Sequence, residues 1–148
     1  MGLLLGCGGV AGASEGPDPY RRCAACHLVD GTGVPGLFPP LAGHVERYFS
    51  TPEGREYLGR LVIGGASGAI EVKGVRYAGE MPAVVADLSD AEIADLLNGL
   101  VRRFGGGEAK PGRLFSGRDV SRMRAAGRLT REQRASLRKS ALAGAGQP

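Results

Sequence analysis

Two cysteines and a histidine lie within five positions of one another in the stretch Cys23-Ala24-Ala25-Cys26-His27. The 148-residue chain has only three cysteines and two histidines, so composition alone does not account for this cluster. On a helix, positions i, i+3 and i+4 share one face. Both thiols and the imidazole would then point the same way, and the two alanines would let a large flat group come close. The chain must fold around whatever these three side chains hold.

The C-x-x-C-H spacing is the attachment signature of c-type haem. Two thiols on one helix face can add across the two vinyl groups of a haem, and the adjacent imidazole can reach the iron. A thioredoxin-like dithiol would need a βαβ setting, which the sequence lacks. A structural zinc site needs four ligands, and beyond the motif only His44 could join. The sequence therefore predicts one haem c, with Cys23 and Cys26 attached to it and His27 on its iron.

Local patterns predict a small helical fold. One helix opens near Pro17 or Pro19 and runs through the cysteine cluster. Residues 31–43 are rich in glycine and proline and form a loop. Helical spacing predicts further helices over 51–64 and 89–104, the second of them begun by a capping box. Apolar residues that alternate over 70–77, on either side of Lys73-Gly74, predict a hairpin.

The second axial ligand of the iron has three candidates in the sequence, namely Met81, Met123 and His44. Met81 comes just before Pro82, which keeps it out of the following helix and on a loop that can face the haem. Met123 has the spacing of a core residue. His44 follows a glycine in a loop, as a surface or supporting histidine would.

Four motifs together resemble the class I monohaem c-type cytochromes of bacteria, over about residues 16–104. They are the C-A-A-C-H cluster, the loop G-x-P-G-x-F-P-P-L-A-G, the hairpin G-x-x-Y-x-G-x-M-P and the helix start L-S-D-x-E-I-A. The resemblance implies an all-α fold, namely a small cytochrome c fold around one covalent haem with a short β-hairpin. The sequence departs from the family at Gly99, where an aromatic residue is common.

The resemblance also implies roles for individual residues. Met81 corresponds to the second iron ligand. The carbonyl of Pro39 would accept a hydrogen bond from the imidazole of His27, and Leu41 would pack on the porphyrin. Tyr77 would contact a haem propionate or simply pack on the haem edge. The cofactor-binding set is thus Cys23, Cys26, His27, Pro39, Leu41, Tyr77 and Met81, with His27 and Met81 on the metal.

An iron with both axial positions filled has no place for a substrate, which leaves outer-sphere electron transfer. The expected function is therefore that of an electron-transfer protein, not an enzyme, in a bacterial periplasmic respiratory or dehydrogenase chain. A periplasmic dehydrogenase would be the donor, and a terminal oxidase or another cytochrome the acceptor. The alternative is a haem enzyme, or a gas or peroxide sensor, with a labile sixth ligand.

Charge divides the chain unevenly. Residues 1–100 carry seven basic and twelve acidic side chains, whereas residues 101–148 carry twelve basic and three acidic ones. We expect a leader and flexible tether over 1–15, the haem domain over 16–104 and a basic extension with two short helices over 105–148. The extension has no zinc-finger spacing and one aromatic residue, Phe115, so it does not resemble a nucleic-acid module. A solvated tail and a protein-docking element both remain open.

The N-terminus predicts export by one of two routes. Leu4-Leu5-Gly6-Cys7 resembles a bacterial lipobox, after which Cys7 would carry lipid and tether the protein to a membrane. Ala11-Gly12-Ala13 fits ordinary signal cleavage instead. Both lack the positively charged start of a signal peptide, and an incidental cysteine in an unstructured terminus is the third possibility. A periplasmic location, with a possible lipid anchor, is the expectation.

Overall fold

The computed structural model describes residues 18–106, 112 and 114–145. Within these ranges the chain forms five α-helices, one 3-10 helix and a two-stranded hairpin, which confirms the small, mostly helical fold. In chain order the elements are α1 (Arg21–His27), the 3-10 helix (Val45–Tyr48), α2 (Pro52–Gly64), β1 (Ala66–Val72), β2 (Val75–Met81), α3 (Asp90–Phe104), α4 (Gly117–Ala125) and α5 (Arg131–Gly144). The predicted leader, with Cys7, lies outside the described residues.

None of the helices within the described ranges is both long and apolar enough to cross a membrane.

The first helix begins later than its prolines predict. Pro19 and Tyr20 form a turn, and α1 starts at Arg21. The turn is held by Asp18, whose side chain accepts a hydrogen bond from the Tyr20 N–H at 3.0 Å and whose carbonyl accepts one from the Arg21 N–H. The helix is only seven residues long, and it buries Cys23 and His27 on one face.

Helices α2 and α3 begin as their sequences predict. The side chain of Thr51 accepts a hydrogen bond from the Gly54 N–H. Pro52 lies in the first turn, where the N–H that proline lacks would have no partner within the helix. Ser89 and Glu92 form the complete capping box of α3. The apolar stripe of α3 is buried at the centre of the main core. The two C-terminal helices pack on α2 and α3: α4 contacts both of them, and α5 contacts α2.

The hairpin has the predicted register but is longer than predicted. Ile70 lies opposite Tyr77, and Val72 lies opposite Val75 across the Lys73-Gly74 turn. Pairing continues to the strand ends, so Met81 is the last residue of β2, opposite Ala66, and the prediction of a loop position for Met81 was wrong. The strand ends there because Pro82 has no N–H to continue the ladder.

The C-terminal extension packs on the body. Val120 and Met123 of α4 are 0% and 2% exposed and belong to the same core as α3. Ala141 of α5 is buried with Tyr48 and Tyr57 in a second cluster. The solvated-tail interpretation is therefore wrong for residues 114–145. Both predicted helices are present, whereas the division of the chain at residue 105 stays a prediction.

Part of the extension's positive charge is used inside the fold. Arg124 forms an ion pair with Asp90 at the start of α3, at 2.9 Å. In return, Arg60 of α2 donates to the carbonyls of Ala126 and Gly127 at the end of α4. The bonds from Arg60 fix where α4 ends, and the ion pair of Arg124 holds α4 to α3. Basic side chains, which in the sequence favoured a solvated tail, therefore help to order the extension.

An aromatic contact between the first helix region and α3 exists despite the glycine at position 99. The rings of Tyr20 and Phe104 meet edge to face, with centroids 5.4 Å apart. Phe104 lies five residues beyond Gly99, and a Cβ at Gly99 would meet no atom within 4 Å. The aromatic residue that α3 offers to this contact is its last one, Phe104, and the space beside Gly99 is open.

Replacing Gly99 by alanine should raise the free energy of unfolding by about 1 kcal/mol, because alanine favours the helix and meets no obstacle here. Gly59→Ala is the matched control in α2. There the new Cβ would overlap the sulfur of Met123, so we expect that variant to lose stability. Denaturant unfolding of both variants measures the two effects. A Gly99→Ala protein less stable than wild type would contradict the open space at this position.

Candidate functional site

One large cavity opens between α1, the loop that follows it, α2 and the hairpin, and its lining is mostly apolar. Every side chain that the sequence predicted as a haem contact lines it. They are Cys23, Cys26, His27, Pro39, Leu41, Tyr77 and Met81. The structure thus brings together residues from α1, the loop and β2 that are up to 58 positions apart in the chain. Their individual roles remain proposals.

His27 is held in one orientation by the loop. Its Nδ1 lies 2.8 Å from the carbonyl oxygen of Pro39. A carbonyl oxygen can only accept, so Nδ1 carries the proton and Nε2 keeps its lone pair. Burial lowers the pKa of His27, and the hydrogen bond to Pro39 partly opposes this. A neutral imidazole with a free Nε2 is the form that binds a metal.

The approach of Pro39 to His27 depends on a glycine. Gly33 has a φ of +65° and donates its N–H to the His27 carbonyl at 3.0 Å. A Cβ at Gly33 would overlap the carbonyl groups of Phe38 and Pro39. Glycine is the residue that allows both the left-handed backbone and the close contact. The loop therefore turns back tightly enough to place the Pro39 oxygen beside the ring.

The three candidates for a second axial ligand differ in position. Met81 is half-buried at the end of β2 and lines the cavity. Met123 is buried in the core beside Gly59, and the cavity does not reach it, so its predicted packing role is confirmed. His44 lines the cavity but packs edge to face on Tyr48, with centroids 5.4 Å apart. Burial, with the charge of Arg138 adding to it, lowers the pKa of His44 to about 4.

The two cysteines of the motif are not joined in a disulfide, and Cys23 is buried whereas Cys26 is half-buried. Burial raises the pKa of Cys23 to about 11, whereas a redox-active dithiol needs a lowered pKa. Within the described part of the chain, no three histidine, cysteine, aspartate or glutamate side chains are grouped as a metal site would require. The raised pKa of Cys23 does not favour the thioredoxin-like interpretation of the motif.

Sequence reasoning missed one edge of the cavity, which is polar. Tyr48, Tyr57 and Arg134 line it there, and the two tyrosine rings stack with centroids 5.0 Å apart. The Tyr48 hydroxyl is buried and has no hydrogen-bond partner among the described residues. The cavity thus suits a large flat apolar group that carries polar substituents on one edge, as haem does.

The family model for cytochrome c matches residues 13–100. This chain belongs to the cytochrome c family. The cofactor of a cytochrome c is covalently bound haem c with its iron, and this chain is a c-type haem electron carrier rather than an enzyme.

Individual relatives agree with this assignment. The cytochrome is 41% identical to cytochrome c-552 of Thermus thermophilus over 138 residues, which cover 93% of this chain and 91% of that protein. It is 37% identical, over 127 residues, to the cytochrome c subunit of a quinone alcohol dehydrogenase from Gluconobacter oxydans, covering 84% of this chain and 24% of that one. Cytochrome c4 of Stutzerimonas stutzeri is 32% identical over 108 residues, covering 64% of this chain and 44% of that protein.

Proposed function

We propose that this cytochrome carries single electrons in a bacterial periplasmic respiratory or dehydrogenase chain. In this proposal Cys23 and Cys26 would hold the haem through thioether bonds, and His27 and Met81 would bind its iron. One observation carries the proposal: His27, oriented by Pro39, lines the same apolar cavity as Met81 and both cysteines.

The bound haem supplies an iron that alternates between ferric and ferrous states. The residues of this chain determine how readily it does so. The Pro39 carbonyl fixes the His27 tautomer and makes the ring more basic. The thioether of Met81 is a soft ligand that favours the reduced state, which gives a relatively high potential. The apolar lining would keep water away from the haem, and an iron held by both His27 and Met81 would have no position left for a substrate.

We propose a periplasmic dehydrogenase as donor and a terminal oxidase or another cytochrome as acceptor. A relative that is by name the cytochrome c subunit of a quinone alcohol dehydrogenase supports the choice of donor. The proposed location is the periplasm, with a possible lipid tether on Cys7, and it rests on the sequence patterns of residues 1–15 alone.

Absorption in the near infrared tests the ligand pair. Ferric iron bound to a thioether gives a charge-transfer band there, so the wild-type protein should show this band. Met81→Ala should abolish it, because the mutated side chain has no sulfur.

Met123→Leu is the matched control. It removes a methionine of the core at nearly constant volume and should leave the band in place. A band that survives Met81→Ala would show that the assignment of Met81 is wrong. A wild-type protein with no band and a high-spin ferric spectrum would favour the haem enzyme or sensor with a labile ligand.

A further inference from the structure

Arg134 of α5 is a buried cation that lines the cavity. It is 8% exposed, and within the described ranges its guanidinium forms no ion pair and no hydrogen bond. A second buried arginine, Arg60, shows the usual arrangement, since it is 9% exposed but donates to two backbone carbonyls and lies 3.6 Å from Glu56. A buried charge without a partner is costly. An anion bound beside the Arg134 guanidinium would offset this cost.

The position of the guanidinium is defined by the hairpin. A Cβ at Gly68 of β1 would lie 3.3 Å from Nη2 of Arg134. Gly68 also lines the cavity, and its φ of +100° favours glycine. The arginine of the C-terminal extension therefore lies against the cavity wall that β1 forms.

The groups around Arg134 are hydrogen-bond donors and cations. The Tyr48 hydroxyl and the Nε of Arg138 are buried and have no partner among the described residues. Arg138 and Arg134 both lie close enough to Tyr57 to oppose the effect of burial, which raises the pKa of that tyrosine to about 12. Glu80 lines the cavity too, but it forms no ion pair with either arginine. This edge of the cavity thus offers donors and lacks a paired carboxylate of its own.

We propose that Arg134 binds a propionate carboxylate of the haem, with the Tyr48 hydroxyl as a further donor. The inference rests on the placement of the haem in the proposed function. A guanidinium presents two parallel N–H donors that match a carboxylate, and it stays charged when buried. The C-terminal extension is then part of the haem site, because α5 supplies the counterion and closes the polar edge of the cavity.

Reduction potentials of three variants test this role. Arg134→Gln removes a positive charge beside the haem. Loss of that charge stabilises the ferric state, which is the more positive of the two, so the reduction potential should fall. Arg134→Lys keeps the charge while also shortening the side chain, and should recover most of the loss. Lys139→Gln is the control, because it makes the same charge change on the exposed face of α5 and should shift the potential less. Equal shifts for Arg134→Gln and Lys139→Gln, or no recovery with lysine, would overturn the proposal.

A crystal structure of the haem-containing wild-type protein decides the matter even if Arg134→Gln does not fold. We expect guanidinium nitrogens of Arg134 at ion-pair distance from a propionate oxygen. A guanidinium paired with a protein carboxylate or turned to solvent would rule the proposal out. If the haem is covalently bound and the thioether band is present, such a result would refute the role of Arg134 alone. If covalent haem or the band is missing, it is the proposed function that fails.

Discussion

Haem should stay on the wild-type polypeptide through acid–acetone extraction and be lost completely from the Cys23→Ala/Cys26→Ala variant. Thioether bonds survive acid and solvent, whereas axial coordination by His27 does not. Both thiols face the cavity in the structure, and neither is engaged in a disulfide. The pigment left in the polypeptide pellet, measured as a pyridine haemochrome, gives the result directly.

Single variants and the third cysteine sharpen this experiment. Cys23→Ala and Cys26→Ala should each retain haem through one bond and show a red-shifted α band, since one vinyl group remains conjugated with the ring. Cys7→Ala is the control, because Cys7 is the third cysteine and lies outside the motif. Pigment extracted from the wild type, or lost from Cys7→Ala, would contradict attachment at positions 23 and 26.

The features that sequence predicted well are those that depend on neighbouring residues. The caps at Thr51 and Ser89 each join groups three residues apart, and their residue types state the bond that forms. The hairpin register follows from the alternation around Lys73-Gly74. The loop contact of Pro39 with His27 spans only twelve residues and was implied by the family resemblance. Met81 was predicted on a loop but is the last residue of β2, because the alternation of apolar residues stops before the strand does.

The polar edge of the cavity could not be predicted in the same way. Arg134 meets β1 across more than sixty positions, and no local pattern records that contact. In a helical pattern arginine counts as a solvent-facing residue, so the buried position of Arg134 gave no signal. The same holds for the whole extension. Its many arginines favoured a solvated tail, although a few apolar residues such as Val120 and Met123 are buried and attach it to the body. A cofactor that supplies the missing anion is what makes such a buried arginine tolerable.

Asn98 shows how the extension is held to the body. Its side chain is buried in α3 and bonds the backbone of Phe115 in both directions, donating to the carbonyl at 2.9 Å and accepting from the N–H at 2.7 Å. In the sequence of α3, an asparagine at this position interrupts the stripe of apolar residues that packs into the core. The structure shows that this side chain satisfies both the N–H and the carbonyl of Phe115, just before α4 begins.

Replacing Asn98 by alanine should therefore lower the free energy of unfolding by about 2–4 kcal/mol, because it leaves a buried N–H and a buried carbonyl of Phe115 without partners. Freed from that anchor, the arginine-rich extension should also be cut faster by trypsin. Asp95→Ala is the control, since Asp95 is an exposed residue of the same helix and its loss should change stability by less than about 0.5 kcal/mol. Denaturant unfolding and timed proteolysis of the haem-loaded proteins measure both effects. If Asn98→Ala matched the control in both, the extension would not depend on the Asn98 hydrogen bonds for its position. The apolar core that α4 shares with α3 would then hold the extension by itself.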